Sequence, residues 1–373
     1  MFKTVLASSL LASASAKSWS MTTMQEVTSV GGVYATSADT VYGAITNNGS
    51  GPGMEKSTDG GKTSTSYGAF GVINTDVAFD QSGHGIVVYG GGIEIVNSNG
   101  DFSKAENVGG FGQSAESLAE STFAAAGNYI KKGQNVNGVA LTKDAGQTWD
   151  LFDVTSFESN YPVRYGAYPS ESTWYVSSGT WPTSAMKTKD VYDFSSRVRL
   201  TVDHSVNATR MQYNYNNEDA LSGSQFFGAV AKTTDGGATW TNVLDIGGKG
   251  FFNEIDCADE NTCMVVGEGG GGNFGYLTKN GGATWKKVFD EPYDGSSLMG
   301  CKMLSTTEAW LSGGNMDYSI RKLVGYFWHT TDSGETWTLD KLENAMSMDL
   351  SFADGVGYST ATNERVANIA TYQ

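Results

Sequence analysis

An all-β chain, folded as a single β-propeller of seven four-stranded blades, is predicted by three observations on this 373-residue sequence. One octapeptide, Ser/Thr-x-Asp-x-Gly-x-Thr-Trp, recurs five times, and its copies are spaced by about one blade length or by twice that. Gly is abundant at 48 residues while Pro is scarce at 5, and Tyr and Trp are plentiful, as many tight turns between short strands require. Eight blades are the alternative, if the longest gap holds a blade of its own.

The octads come first. They run from Thr142 through Asp144, Gly146 and Thr148 to Trp149, and from Thr233 through Asp235, Gly237 and Thr239 to Trp240. Another runs from Thr330 through Asp332, Gly334 and Thr336 to Trp337, and Asn280 replaces the acid in the copy from Thr278 to Trp285. The earliest, Ser57, Asp59, Gly61 and Thr63, ends in Ser64 instead of Trp. Each residue type suits a turn between antiparallel strands: a carboxylate accepts backbone N–H bonds, and Gly tolerates positive φ. Hydroxyls close further local bonds, and the indole packs between neighbouring sheets. The octads are therefore structural.

Their spacing sets the architecture. Asp59 and Asp144 are 85 residues apart, Asp144 and Asp235 91, Asp235 and Asn280 45, and Asn280 and Asp332 52. The unit of about 45 residues is that of a four-stranded blade. A degenerate unit fills the first long gap, with strands at 76–80, 85–89 and 93–96 and a turn at Asn97-Ser98-Asn99-Gly100. In the second, 164–168 and 174–177 read as two strands and 227–232 as the third, which leaves 181–225 as an insertion within one blade. Three strands at 348–352, 356–360 and 366–371 end the chain, and an extended segment at 22–27 supplies the fourth, closing the ring and removing two free edges.

Octads of this form resemble the Asp-box (BNR) repeat of sialidases, certain endoglucanases, sortilin-type receptors and the photosystem II assembly factors of chloroplasts. That likeness implies the propeller fold and places the octads on the outer turns between third and fourth strands. It implies no single activity. Sialidase chemistry would need an early Arg-Ile-Pro and an Arg triad, yet the first Arg is Arg164, and the others are Arg197, Arg199, Arg210, Arg321 and Arg365. The xyloglucan-cleaving endoglucanases of this class use two facing propellers, where this chain holds one.

Residues 1–16 read as a secretory signal peptide: Lys3, an apolar run at 5–11, then Ala14-Ser15-Ala16. No later stretch approaches the roughly 18 apolar residues of a membrane helix. Two sequons, at Asn48 and Asn207, fit a secreted glycoprotein. Cys257 and Cys263 bracket a short polar turn and are expected to pair across a hairpin, leaving Cys301 as a buried thiol. A net charge of −16 with only six Arg excludes nucleic acid and anionic membrane as partners. The expected state is a secreted monomer.

Candidate ligand residues lie at or near the starts of innermost strands: Asp76, Glu116, Arg164, Asn253, Glu254 and Asp349. Converging carboxylates could act as acid and base in glycosidic cleavage, with Glu254 and Asp349 as the pair. Trp181, Tyr192, Tyr213 and Tyr215 in the insertion, set among Asn and Asp, suit sugar rings or a protein surface. No cofactor or metal is indicated: nucleophile-elbow, phosphate-loop and zinc spacings are absent, and His84, His204 and His329 are isolated. Gly269 to Gly272 reads as a flexible loop, and Asp256, Asp259 and Glu260 as a charged hairpin tip. The leading function is noncatalytic recognition of an extracellular glycan or glycoprotein at the channel mouth. A carbohydrate-active enzyme, glycoside hydrolase-like and using channel carboxylates, is the alternative, and an assembly or scaffold factor the third.

Overall fold

The computed structural model describes residues 17–23, 29–46, 53–68, 74–131, 133–157, 161–180, 227–269, 271–292, 296–317, 322–362 and 367–373. Their strands form seven antiparallel sheets of four. The first strand of each sheet packs against the first strands of its neighbours, so these strands ring a central channel. They are Ser29–Ala35, Asn74–Phe79, Gly109–Ala119, Val163–Ala167, Phe251–Cys257, Ser296–Met303 and Leu350–Ala353, the innermost strands of blades 1 to 7.

Burial explains the strand sequences. Second strands such as Gly85–Tyr89 and Cys263–Gly269 are buried throughout, because a blade lies against each of their faces. Such strands read as near-continuous apolar runs. Outer strands such as Thr338–Glu343 are almost wholly exposed and polar. The core is correspondingly divided into seven hydrophobic clusters, one between each pair of neighbouring blades. The channel is left to polar side chains.

Ring closure departs from expectation in one respect. The strand that completes blade 7 is Trp19–Thr23, paired with Ala367–Tyr372, and lies earlier than 22–27. The reason is Trp19, which is 8% exposed and stacks on Phe327 of blade 6 with ring centroids 4.0 Å apart. An aromatic wedge between blades 6 and 7 fixes the register that alternation alone left open. Residues 1–16 and both sequons lie outside the described residues.

In blade 4, Trp174–Thr180 pairs with Phe227–Thr233 through Thr180 and Phe227, so the chain leaves and re-enters one sheet at adjacent ends. Residues 181–226, with Trp181, Tyr192, Tyr213, Tyr215 and His204, lie outside the described residues. Blade 2 has the expected degenerate turn, in which Asn97 Oδ1 accepts the N–H groups of Asn99 and Asp101, each at 2.9 Å.

All five octads turn between third and fourth strands with one bonding pattern. The first hydroxyl accepts the Gly N–H at 2.8–3.0 Å. The third-position acid or amide accepts the N–H of the Thr four residues on at 2.8–2.9 Å. That Thr also donates its hydroxyl to the other carboxylate oxygen, which together with the N–H bond holds Asp59, Asp235 and Asp332 down at a pKa of about 2. Asn280 keeps the turn by reversing one bond, its amide donating to Thr284 at 2.8 Å. Gly237 has φ of 90°, and a Cβ there would lie 2.7 Å from Phe152 and 2.8 Å from Trp174. Gly237→Ala is therefore expected to cost about 2 kcal/mol from strain and overpacking together, read as a shifted denaturant midpoint with unchanged slope. Cys257 and Cys263 form the expected disulfide across the hairpin of blade 5, and Cys301 is buried.

A channel of carboxylates held by neighbouring blades

In blades 2 to 6 one extra residue interrupts the pairing of the innermost strand at the same place: Thr75, Gln113, Arg164, Asn253 and Met299. Such bulges re-aim the side chain that follows. The following residues are Asp76, Ser114, Tyr165, Glu254 and Gly300, and Asp349 holds the corresponding place just before the blade 7 strand. Apart from Gly300 all of these line one small cavity on the channel axis.

Asp76, Ser114, Glu254 and Asp349 each reach forward to the next blade. Asp76 accepts the Ala115 N–H at 2.8 Å, Ser114 Oγ the Gly166 N–H at 3.2 Å, and Glu254 the Cys301 N–H at 3.0 Å. Asp349 accepts the Val33 N–H at 2.7 Å and so bonds blade 7 to blade 1 where the ring closes. Two residues further along, Asp256 accepts the Met303 N–H at 2.7 Å and Ser351 the Ala35 N–H at 2.9 Å. These N–H groups lie along the free edge of the innermost strand, which has a ladder partner on one side only, and a side chain from the preceding blade satisfies them.

Where the preceding blade offers Gly, the acid turns on its own backbone. Asp76 follows Gly32 and also accepts the Val77 N–H at 2.8 Å, while Asp349 follows Gly300 and accepts the Leu350 N–H at 2.7 Å. Glycine is required at both places. A Cβ on Gly32 would overlap the Asp76 carboxylate, and one on Gly300 would lie 3.1 Å from Glu254 Oε2 and 3.3 Å from the Asp349 Cα. Glu254 and Asp349 are thus neighbours across Gly300.

Glu116, Asp256 and Lys302 form a second tier nearer the ends of the innermost strands. Lys302 Nζ is 3.2 Å from Asp256 Oδ1, and its side chain keeps 27% exposure. Burial raises the carboxyl pKa of Asp349 to about 6, and those of Asp76, Glu116 and Glu254 in the same direction. The Asp349 charge adds to the rise at Asp76 and Glu254, and burial pushes the Cys301 thiol up as well. Like charges gathered in a low-dielectric space disfavour ionisation.

Volume limits what this tier can do. The axial cavity offers about 40 Å³ to the centres of water-sized occupants, enough for a few waters and too little for a sugar ring. Arg164 points away from it, donating to Phe252 O at 3.2 Å and Asn253 Oδ1 at 3.1 Å. Asn253 is 1% exposed and donates to Glu268 and the Leu298 carbonyl. Both join blades. His329 stacks on Trp310 with centroids 4.1 Å apart and bonds Glu308. Asp256, expected at a charged hairpin tip, lies in the channel instead, because it sits two residues past Glu254 on the same strand face. Lys302 carried no sequence signal beyond being a lysine in an otherwise buried strand.

No protein-family model matches the chain, and no curated protein does. Solved structures share its architecture. YCF48 from Cyanidioschyzon merolae superposes with a TM-score of 0.58 at 11% identity, over 95% of this chain and 98% of that one. YCF48 bound to a D1 peptide gives 0.57 at 12%, over 95% and 96%. A polysaccharide lyase of family PL25, an ulvan lyase, gives 0.56 at 10%, over 93% and 97%. Likeness at such identity shows the fold alone.

Proposed function

We propose that this chain is a noncatalytic recognition propeller of the Asp-box class, secreted as a monomeric glycoprotein after loss of residues 1–16. Its ligand is an extracellular glycan or glycoprotein, bound at the channel mouth where the innermost strands begin and where residues 181–225 emerge. One observation carries the reading: the channel carboxylates accept inter-blade N–H bonds around a cavity of about 40 Å³. Groups so engaged, in a space that excludes a sugar ring, leave recognition to the mouth. Related folds supply precedent for both ligand types, an ulvan lyase and a YCF48 bound to a peptide.

A second reading is supported by the closeness of Glu254 and Asp349 across Gly300 and by their raised proton affinity. Such a pair resembles the acid and base of a glycosidase or lyase. One experiment separates the two. Wild type, Trp181→Ala and Glu254→Gln are presented to a panel of cell-wall and host oligosaccharides, with binding, new reducing ends and new double bonds recorded. Recognition at the mouth is expected to give binding without turnover, weakened at least tenfold by Trp181→Ala and retained by Glu254→Gln. Turnover in wild type that Glu254→Gln abolishes would establish the enzyme instead.

A further inference from the structure

The roomier of the two cavities described lies at the opposite mouth, where the innermost strands end. It offers about 190 Å³ to the centres of water-sized occupants. Leu118, Ala167, Pro169 and Met303 form a small apolar collar in a lining whose exposed surface is otherwise mostly polar, with the disulfide-bonded Cys257 beside them. Glu116, Asp256 and Lys302 line both this cavity and the axial one, so the two meet there as a funnel with a narrow ionic throat.

The carboxylates of the throat and of the axial cavity are not equivalent. Asp76, Glu254, Asp256 and Asp349 each accept a backbone N–H, and Asp256 also binds the Lys302 ammonium. Glu116, which keeps partial exposure, accepts no hydrogen bond among the described residues and adjoins both cavities. Among the described residues, five carboxylates line the channel with one ammonium, because Arg164 is turned toward blade 5. Lys302 shows how the throat accommodates an ammonium: a methylene stem along the wall and a charged tip against a carboxylate.

We propose that this funnel binds a primary alkylammonium, carried on a lysine side chain of a partner polypeptide or on a free diamine. The collar takes the methylene stem, and Glu116 accepts from the ammonium. A compact ammonium suits the narrow throat, whereas a planar guanidinium needs a wide, fork-shaped partner. The chain's net charge of −16 draws such a partner in. This site is independent of the glycan reading, which concerns the other mouth.

The groups facing Glu116 are Lys302, Asp256, Tyr34 and Tyr168, with Asp76, Glu254 and Asp349 further along the channel. A bound cation favours the ionised carboxylates, and burial holds Glu116, Asp76, Glu254 and Asp349 above the usual carboxylate range, so binding strengthens from pH 5 to pH 8. The test is calorimetric titration of the full chain with cadaverine, a blocked lysine peptide and 1-pentanol. Amine binding is expected at millimolar or tighter Kd, without binding of the alcohol, at least fivefold weaker in Glu116→Gln, and unchanged in Trp181→Ala. The lysine peptide binding tighter than cadaverine identifies a polypeptide source, and the reverse a free diamine. Glu116→Gln should keep the wild-type melting temperature. No amine binding at about 10 mM, equal binding of the alcohol, or an unaffected Glu116→Gln variant would overturn the site.

Discussion

Trp19→Ala is expected to lower the unfolding free energy by about 4 kcal/mol, the range of buried Trp truncations, and the melting temperature by about 5 °C for a chain of this size. The indole sits where the ring closes. It stacks on Phe327, meets Trp310 edge-on at 5.8 Å and Phe352 at 6.3 Å, and adjoins Tyr372. Its removal leaves a cavity between blades 6 and 7 and frees the strand that covers the outer edge of Ala367–Tyr372. Trp19→Phe should recover most of the loss, since a ring in that place keeps the stack on Phe327. Thermal denaturation of the three proteins reads the outcome, and a Trp19→Ala protein within about 1 kcal/mol of wild type would show that closure does not depend on the wedge.

Asp349→Ala is expected to cost about 3 kcal/mol at pH 5, because it orphans the buried N–H groups of Val33 and Leu350 at the same seam. The loss should shrink toward pH 8. Asp349 titrates near 6 in the fold, above the roughly 3.9 of an unfolded Asp. A raised carboxyl pKa gives stability that is complete below the unfolded value and lost as pH rises through the folded one. The amount lost over that window is about 3 kcal/mol, increased by Asp76 and Glu254, which shift the same way. The octad acids have the opposite sign. With pKa values of about 2 for Asp59, Asp235 and Asp332, their contribution is present above about pH 4 and disappears as pH falls toward 2. Wild-type stability should therefore peak between about pH 4 and 5. Urea denaturation at a series of pH values would contradict this by showing stability rising steadily from pH 5 to 8.

Much of this was legible in the sequence because the octads carry their own chemistry. Asp, Gly and Thr at fixed offsets specify a turn wherever they fall, and the spacing of five copies measures the blade. The turn at Asn97 was readable for the same reason. The closing strand was placed three residues late, since residues 17–27 alternate weakly and the decisive partner of Trp19 is Phe327, 308 positions away. Asp76, Glu254 and Asp349 were singled out by position and do converge; Glu116 joins them at the same cavity but lies toward the end of Gly109–Ala119, where a start had been expected. Their bonds to the next blade could not be foreseen, because a bulge is a one-residue slip in pairing that leaves no trace in composition. Lys302 and Asp256 were missed as channel residues on the same ground: their facing follows from bulges at Met299 and Asn253.

Amide hydrogen exchange on wild type and Glu254→Ala tests most directly whether the channel carboxylates hold the blades together. The Cys301 N–H has no ladder partner and relies on Glu254 Oε2 at 3.0 Å. It should exchange as slowly as ladder amides in wild type and at least tenfold faster in the variant, with Met303, bonded to Asp256, unchanged. A Cys301 amide that exchanges at loop rates in wild type, or that ignores the loss of Glu254, would contradict the assignment and return these carboxylates to chemistry.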